Sequence, residues 1–471
     1  MNWLQRHVSP LKSISDIWRR ALSPGLPNCI LPILFAFFAL LSVFSSAFIV
    51  PPFQVPDEDA HFTRAAEIGE GHFIGYRQGG LSGDLLPSDL EPILHVTETL
   101  KGHPDRRPDA EQLSLAEKTK WTGTPLLFGF PNTVIYGPVC YLPQAAAIAM
   151  ARLNDRPILT SLRLGRLAAG LSFVIISTMA LCLCQRGRFF LLVLLSLPMT
   201  LWLAGSVSQD GNLIALCALL SAILSRYASS DRSSLLLQVL TGCGFGVIAM
   251  AKPPLLPLAF LPCLLATSRA TVLRTLLCPT IACFLAGTWF AAGLLPTELP
   301  KTAIQIAQAQ RVRSDPFIFM KALWLSLIVL HHAWLDQFIG MAGWLDTALP
   351  RSFLRLSRFV LVLSFLSGFN IRKYVRPTYA MLLRNAAIIS IIGTSVIGIF
   401  LSLFLIWTPP DSPLIDGIQG RYFLPVACFL CLLFPCKPQT GVRPVTVLFA
   451  LAWLSLSVAT AQITLIERFI G

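Results

Sequence analysis

Long apolar stretches separated by short polar gaps make up most of the chain and determine its predicted architecture. Many windows of about 17 to 25 residues are predominantly apolar, which is the length that an α-helix needs to cross a bilayer. The short alternating segments typical of a membrane β-barrel are absent. The pattern predicts an all-α polytopic membrane protein with spans at about 29–50, 161–184, 188–206, 211–227, 235–251, 254–268, 272–294, 352–370, 385–407, 422–436 and 444–465.

The composition agrees with this pattern, because 54% of the 471 residues are hydrophobic and only 13% are charged. A soluble protein of this size carries about twice that share of charged residues. The net charge of +13 does not indicate nucleic-acid binding, since the basic residues lie in short gaps between apolar stretches. The positive-inside rule accounts better for that placement.

The basic residues also predict which side of the membrane each gap faces. The gaps assigned to one side, including the N-terminus, contain only the acids Asp16 and Asp231. We therefore place the N-terminus in the cytoplasm. We expect the first apolar stretch to be an uncleaved span, because a signal peptide has a shorter apolar core and a small-residue cleavage site. The basic residues of these gaps are Arg6, Lys12, Arg19, Arg20, Arg186, Arg188, Arg226, Arg232, Arg269, Arg274, Arg372, Lys373, Arg376, Arg384, Lys437 and Arg443.

Three longer segments fall on the predicted outer side of a single transmembrane domain. They are a first outer loop at 51–160, a second at 295–351 and a third at 408–421. Residues 317–335 are apolar enough to span, but one extra span there would put the basic stretch 371–377 outside. We therefore expect a re-entrant or surface helix in the second loop. Long loops in compact proteins are usually functional, so chemistry is expected at the outer surface.

The twelve cysteines do not indicate a disulfide framework or a zinc site. Nearly all of them fall inside apolar stretches, and only Cys140 lies in the large hydrophilic region. Cysteine in such a place behaves as a small, polarisable core residue.

Three acids and a histidine follow closely after the first predicted span, at Asp57, Glu58, Asp59 and His61. Acids after a proline are typical of a solvated helix start. The alternative is a partly desolvated carboxylate at the bilayer boundary, which suits a general base. On a helix Asp57, His61 and Arg64 share one face, whereas Glu58 and Asp59 point elsewhere. A histidine–carboxylate group also suits a metal, although four ligands are not evident.

Three further charges interrupt apolar sequence. Asp210, in a tight turn, either caps the next helix or faces the same site as Asp57. Lys252 is either a snorkelling lysine in a hairpin turn or a ligand for a lipid phosphate. Arg421 stands just before a predicted span, where it is either an interfacial anchor or a bidentate phosphate ligand.

Aromatic residues accompany these charges. The apolar stretch 136–153 is expected to lie at the outer interface as a helix, because counting it as a span would invert the charge bias downstream. Its Tyr136 and Tyr141 either line a pocket or anchor in the headgroups. Trp344 and Asp346 form an aromatic–acid combination that suits sugar stacking with hydroxyl binding, although Trp is also an ordinary interfacial residue.

Five stretches in order along the chain carry a resemblance to a known family. They are PPFQVPDEDAHFTRAAEIGEGHF (51–73), YGPVCYLP (136–143), SVSQDGN (206–212), GWLDTALP (343–350) and GIQGRYFLP (417–425). Together they resemble domain-of-unknown-function family 2142, a bacterial membrane family grouped with the GT-C glycosyltransferases. The wider similarity is to lipid A aminoarabinose transferases and protein O-mannosyltransferases, through the acidic motif, LRLGRLAAG (162–170) and GVIAMAKPPLL (246–256).

The resemblance implies a GT-C-like fold of about 11 to 13 transmembrane helices in a bacterial inner membrane, with the active site on the periplasmic side. It implies inverting transfer of a sugar from a polyprenyl-phosphate donor to a lipid, glycan or protein acceptor. Asp57 would be the general base, with Glu58 and His61 beside it. The other expected substrate-binding residues are Arg64, Tyr136, Asp210, Trp344, Asp346 and Gln419.

The resemblance also assigns the donor phosphate. Lys252 and Arg421, together with Arg166 of the LRLGRLAAG stretch, would bind it and stabilise the charge that develops on the leaving group. One departure from the transferase pattern is that His61 occupies an aromatic position. Use of a divalent metal is therefore left open.

Two other functions fit part of the pattern. A transporter or flippase of lipid-linked glycans should carry paired polar groups near mid-membrane and repeat-related broken helices. Here the charge is concentrated at one predicted surface. A polymerase or ligase of O-antigen type also uses outer arginines and a large loop, but the early acidic motif favours the transferase.

Overall fold

The structure, a computed structural model, describes residues 27–227, 235–265, 269–369, 378–435 and 441–471. Many of the charges behind the predicted sidedness lie outside these ranges. They are Arg6, Lys12, Asp16, Arg19, Arg20, Asp231, Arg232, Arg372, Lys373, Arg376 and Lys437. The orientation of the chain across a membrane therefore stays a prediction.

Six helices within the described ranges are long and apolar enough to cross a membrane. They are Ile30–Ile49, Ile158–Leu183, Val272–Thr297, Phe317–Ile339, Tyr379–Ile406 and Pro444–Phe469. A helix pairs all of its interior backbone groups internally, which lipid requires. The prediction of a mainly helical, multi-pass membrane protein is confirmed; the GT-C-like arrangement stays a prediction.

Other predicted spans are helical but shorter or interrupted. One breaks into Arg188–Leu195 and Pro198–Ala204, because Pro198 has no N–H to continue the preceding helix. Another begins as the 3-10 helix Pro253–Phe260, which contains Pro257. The remaining helices of this kind are Asp210–Tyr227, Leu235–Ala251, Leu261–Leu265, Arg351–Gly368, Gly420–Phe423, Leu424–Ala427 and Cys428–Leu433. Several of the eleven predicted spans are thus not continuous helices of membrane-crossing length.

The helix Phe317–Ile339 lies in the predicted second outer loop. By length and composition it can cross a membrane. Near its start, however, Phe319 packs on Phe404 of a neighbouring helix, with ring centroids 5.5 Å apart. Trp334, about 22 Å further along the helix, packs on Phe400, one turn from Phe404, at 5.2 Å. Both contacts involve the same end of the neighbouring helix, so Phe317–Ile339 crosses that end instead of running beside it; its surface or re-entrant placement stays a prediction.

The first outer loop contains a three-stranded antiparallel sheet that the sequence pattern did not predict. Its strands are Tyr76–Gln78, Leu81–Pro87 and Pro125–Gly129. Gly79 and Gly80 join the first two strands in a two-residue turn, and both have positive φ. That backbone is the one that a tight hairpin turn requires, and glycine adopts it without strain.

Helices complete this loop and fasten it to the bundle. The helix Glu58–Gly69 packs Phe62 against Phe53 and Trp121, each with ring centroids 5.7 Å apart. The other helices of the loop are Leu90–Leu94, Glu98–Leu100, Ala110–Ala116, Pro131–Val134, Val139–Tyr141 and Leu142–Leu153. Outside it lie the helix Ala303–Ser314 and the strands Met341–Ala342 and Thr347–Ala348. The end of the bundle that carries residues 51–157 is called the loop-bearing end below.

Candidate functional site

Four charged side chains from four separate segments meet at the loop-bearing end. They are Asp57, Asp210, Lys252 and Arg421, called the mixed-charge cluster below. Arg421 Nη2 lies 2.5 Å from Asp57 Oδ2, and its Nη1 lies 3.9 Å from Asp210 Oδ2. Lys252 Nζ lies 2.8 Å from Asp210 Oδ1. Four predicted site residues, far apart in the sequence, are thus brought together by the fold.

Asp57 occupies an unusual backbone position directly before the helix Glu58–Gly69. Its φ of +62° is left-handed, a region that Asp and Asn enter more readily than most residues. Its carbonyl oxygen accepts the first helical hydrogen bond, from the N–H of His61 at 3.0 Å. The carboxylate is 42% exposed, so a second molecule can reach it.

Arg421 is positioned by hydrogen bonds of its side chain and by a close contact of the preceding backbone. Its Nε donates to Gln419 Oε1 at 2.6 Å, and Nη1 donates to the Pro56 carbonyl at 3.3 Å. The preceding Gly420 lies so close to Trp334 that a Cβ would overlap the Trp334 carbonyl oxygen. Glycine is needed where two backbones approach in this way, and the guanidinium is thereby set beside Asp57.

Lys252 ends the helix Leu235–Ala251, where Pro253 starts a 3-10 helix. The ring of Tyr422 lies beneath both cluster cations, with its centroid 5.0 Å from Lys252 Nζ and 5.3 Å from Arg421 Cζ. An aromatic face attracts cations. The ring therefore helps to hold two positive charges near each other.

His61 borders the cluster from the acidic-motif helix. Its Nδ1 lies 2.6 Å from the hydroxyl of Tyr141, and both side chains are buried. Burial lowers the pKa of His61, and the two cluster cations lower it further against the opposite effect of the two cluster carboxylates. A neutral imidazole is favoured near pH 7. Such a ring donates a hydrogen bond from one nitrogen and accepts one at the other.

Tyr136 approaches the cluster from a segment tied to Lys252. The N–H of Gly137 donates to the Met250 carbonyl at 3.0 Å, which sets this segment against the end of the lysine-bearing helix. Burial raises the pKa of Tyr136, and Tyr422, Asp210 and Asp57 raise it further. The hydroxyl therefore stays protonated and is available as a hydrogen-bond donor.

Glu58 and Arg166 form a separate buried pair. Arg166 Nε lies 2.8 Å from Glu58 Oε1, and Nη2 lies 2.6 Å from Oε2. The same guanidinium donates to the carbonyls of Val50 at 2.6 Å and Pro51 at 2.9 Å. The structure thus gives Arg166 a carboxylate and carbonyl partners instead of placing it with Lys252. A phosphate-binding role for Arg166 and an assisting role for Glu58 gain no support from this arrangement.

Arg64 is also directed away from the cluster, although its helical position was expected to put it beside Asp57. Its Nη1 lies 2.5 Å from Glu67 Oε2, and its Nη2 donates to the Phe73 and Tyr136 carbonyls at 2.9 and 3.0 Å. These bonds fasten the acidic-motif helix to the following chain. Arg64 therefore orders the segment that carries Tyr136.

Trp344 and Asp346 lie in a second group of charged residues. The ring of Trp344 lies 4.1 Å from Lys101 Nζ, so a cation already covers the face expected to stack on a sugar. Asp346 accepts from the N–H of Gly102 at 3.1 Å and lies 3.5 Å from Arg468. The structure uses this pair to join the first and second loops.

Two contributors were missed by the sequence reasoning: the ring of Tyr422 beneath both cations, and Gln337. Gln337 Oε1 accepts from the Gly420 N–H at 2.9 Å. The sequence does not show which side chains of other segments meet the stretch around Arg421, so these contacts could not be inferred from it. Within the described ranges, no group of three or more His, Cys, Asp or Glu residues is placed to hold a metal ion.

Comparison with known proteins adds one match. A family model described as predicted membrane protein (DUF2142) matches residues 40–430, which include every member of the mixed-charge cluster. No curated protein and no solved structure matches the chain.

Proposed function

The chain belongs to this family of predicted membrane proteins, and we propose that it is a membrane glycosyltransferase that uses a polyprenyl-phosphate sugar donor. The acceptor would be a lipid, a glycan or a protein. One observation carries the proposal: a half-exposed carboxylate, Asp57, contacts Arg421, and Asp210 links Arg421 to a second cation, Lys252, at one end of an apolar helical bundle. A base next to a phosphate-binding pair is the minimum that such a transfer needs.

The proposed step is a single inverting displacement. Asp57 takes the proton of an acceptor hydroxyl as that oxygen bonds to the anomeric carbon of the sugar. The bond between this carbon and the phosphate oxygen breaks, and polyprenyl phosphate leaves with the electron pair. Lys252 and Arg421 stabilise the negative charge that develops on the leaving group.

Before the donor binds, both cations are occupied by carboxylates. Arg421 contacts Asp57 and Lys252 contacts Asp210. A donor phosphate would compete with these carboxylates, and its capture of Arg421 would release Asp57 to act as base. Asp210 would remain as the counter-ion that keeps Lys252 in place. His61 and Tyr136, which border the cluster, would position hydroxyl groups of the substrates.

The test compares two neighbouring acids in cells that lack the chromosomal gene. Mass spectrometry of envelope lipids and glycans should show a product that the deletion removes and the wild-type protein restores. Asp57→Asn should fail to restore it, since loss of a general base costs about 100- to 10,000-fold in rate. Asp59→Asn, whose carboxylate instead bonds Lys101 at 2.8 Å, should restore it.

Asparagine tolerates the left-handed backbone of Asp57, so the variant should accumulate normally in the membrane. A product level equal to wild type with Asp57→Asn would remove Asp57 as the base. Absence of any mass change on deletion would count against transferase activity altogether.

A further inference from the structure

A cavity of about 390 Å³ lies at the loop-bearing end, apart from the mixed-charge cluster. It is an open cleft at the ends of three apolar helices, Ile30–Ile49, Ile158–Leu183 and Pro444–Phe469. The loop helix Ala110–Ala116 closes one side, and Arg166 forms part of the wall. Its volume falls within the range of about 300 to 1,000 Å³ that is usual for small-molecule sites.

The lining combines an apolar interior with a charged rim. Val50, Leu162 and Phe469 supply buried apolar surface. Arg107, Arg163 and Glu117 supply the charges, and Arg163 is paired with Glu117. Two guanidinium groups against one carboxylate leave the rim positive, and guanidinium groups match a phosphate in geometry and charge.

The cavity also adjoins the apolar outer surface of the bundle. Phe48 is 54% exposed and Ile470 is 67% exposed, and both line the cavity. In a membrane such side chains face lipid, whereas the arginines at the helix ends lie at headgroup depth. A ligand that reaches this cavity from the membrane would place its chains along Phe48 and its headgroup at the arginines.

We propose that this cavity binds one anionic membrane lipid, with its phosphate between Arg107 and Arg163 and its upper chains against the apolar wall. The lipid is distinct from the proposed donor, because neither Lys252 nor Arg421 lines the cavity. Binding here would link the three helix ends to the first outer loop, which contains Asp57. The inference stands independently of the transferase proposal.

The experiment uses native mass spectrometry of the purified full-length chain after delipidation. Titration with phosphatidylglycerol should give a one-to-one adduct, retained about tenfold more strongly than phosphatidylcholine, because the choline cation of the second lipid offsets its phosphate charge and is repelled by the arginines. The double variant Arg107→Ala with Arg163→Ala should lose this preference. Arg156→Ala removes another exposed arginine that does not line the cavity, and it should retain the preference.

A second pair of variants tests the cavity itself. Ala110 lines the cavity and is exposed, so Ala110→Trp should fill the space and abolish the adduct without disturbing buried packing. Gln112→Trp, on the opposite face of the same short helix, should keep it. Equal adducts in the two tryptophan variants, or equal retention of the two lipids by the wild type, would overturn the proposal.

Two further measurements identify the ligand and its independence. Millimolar inorganic phosphate should not displace phosphatidylglycerol; if it does, the site binds a free anion and the lipid assignment fails. Asp57→Asn should bind the lipid as the wild type does, because Asp57 does not line the cavity. Loss of the adduct in that variant would contradict the separation of the two sites.

Discussion

Asp57 and Glu58 are adjacent carboxylates that each pair with an arginine, yet the two pairs occupy opposite environments. Asp57 keeps 42% of its side chain exposed beside Arg421, whereas Glu58 is fully buried with Arg166. The left-handed backbone at Asp57 separates the two directions, since the helix begins at the next residue. One step along the chain therefore divides a reachable acid from an enclosed one.

The difference shows how one short motif serves two purposes. Arg166 donates hydrogen bonds to Glu58 and to the carbonyls of Val50 and Pro51, directly after the first helix. The Glu58–Arg166 pair therefore connects the end of that helix, the acidic-motif helix and the helix Ile158–Leu183. Arg421 holds the Asp57 carboxylate, which the donor phosphate would replace in the proposed transfer. Saturated buried pairs are costly to break, whereas the exposed Asp57 carboxylate can leave Arg421 for water if another anion takes its place.

Breaking the buried pair should have the largest effect. Glu58→Ala leaves the Arg166 guanidinium buried without its carboxylate, which costs about 3–5 kcal/mol. We expect a large drop in the thermal unfolding midpoint in detergent and poor recovery of monodisperse protein. Asp59→Ala, at a more exposed ion pair with Lys101, should cost at most about 1 kcal/mol. Similar losses in both variants would contradict the assigned fastening role.

Changing the cluster cation and its counter-ion should alter donor binding in opposite directions. Lys252→Ala should weaken polyprenyl-phosphate binding by about 10- to 100-fold, because a charged hydrogen bond is lost. Asp210→Asn removes the carboxylate 2.8 Å from Lys252 Nζ, so phosphate affinity should be higher. Both can be measured by microscale thermophoresis with polyprenyl phosphate, and weaker binding in Asp210→Asn would contradict competition at Lys252.

Removing the exposed carboxylate of Asp57 should affect stability less than removing the buried carboxylate of Glu58. Asp57→Gly removes the exposed partner of the buried Arg421 but also relieves the cost of a left-handed non-glycine residue. Arg421 keeps Asp210, Gln419 and the Pro56 carbonyl as partners, so the free energy of unfolding should fall clearly less than in Glu58→Ala. Thermal unfolding midpoints of Asp57→Gly and Glu58→Ala, measured in the same detergent, give the comparison. A loss as large as that of Glu58→Ala would show that Asp57 is also a fastening residue.

Much of the helical pattern was predictable, because apolar length alone identifies a helix that can cross a membrane. The prediction was wrong where it treated a long apolar stretch as one continuous helix. The stretch 188–206 has the composition of a span, but Pro198 divides it. The Gly79–Gly80 turn was a readable hairpin signal inside a loop that was considered only for its charges.

The site was predictable in part, for a physical reason. Asp210, Lys252 and Arg421 stand out because an isolated charge in apolar sequence needs a partner, and Asp57 stands out because it opens an acidic motif soon after the first apolar stretch. Their mutual pairing depends on the fold, and nothing in the sequence separates Arg166 from Arg421. Both are arginines at the edge of an apolar stretch, and only the structure shows that Glu58 takes the first and Asp57 the second.

The smallest expected effect concerns His61, which lies on the same helix as both carboxylates. Burial lowers its pKa below the ordinary value of 6.5, while Asp57 and Asp210 oppose that shift. A lowered folded-state pKa means that the contribution of His61 to stability is present above pH 6.5. That contribution is lost as the pH falls through the folded-state pKa, since the unfolded chain then binds the proton more readily. Thermal unfolding midpoints at pH 7.5 and pH 5 should therefore differ less in His61→Gln than in the wild type. His103→Gln, at an exposed ring, should behave as the wild type does, and an unchanged pH dependence in His61→Gln would show that the buried imidazole is not what titrates.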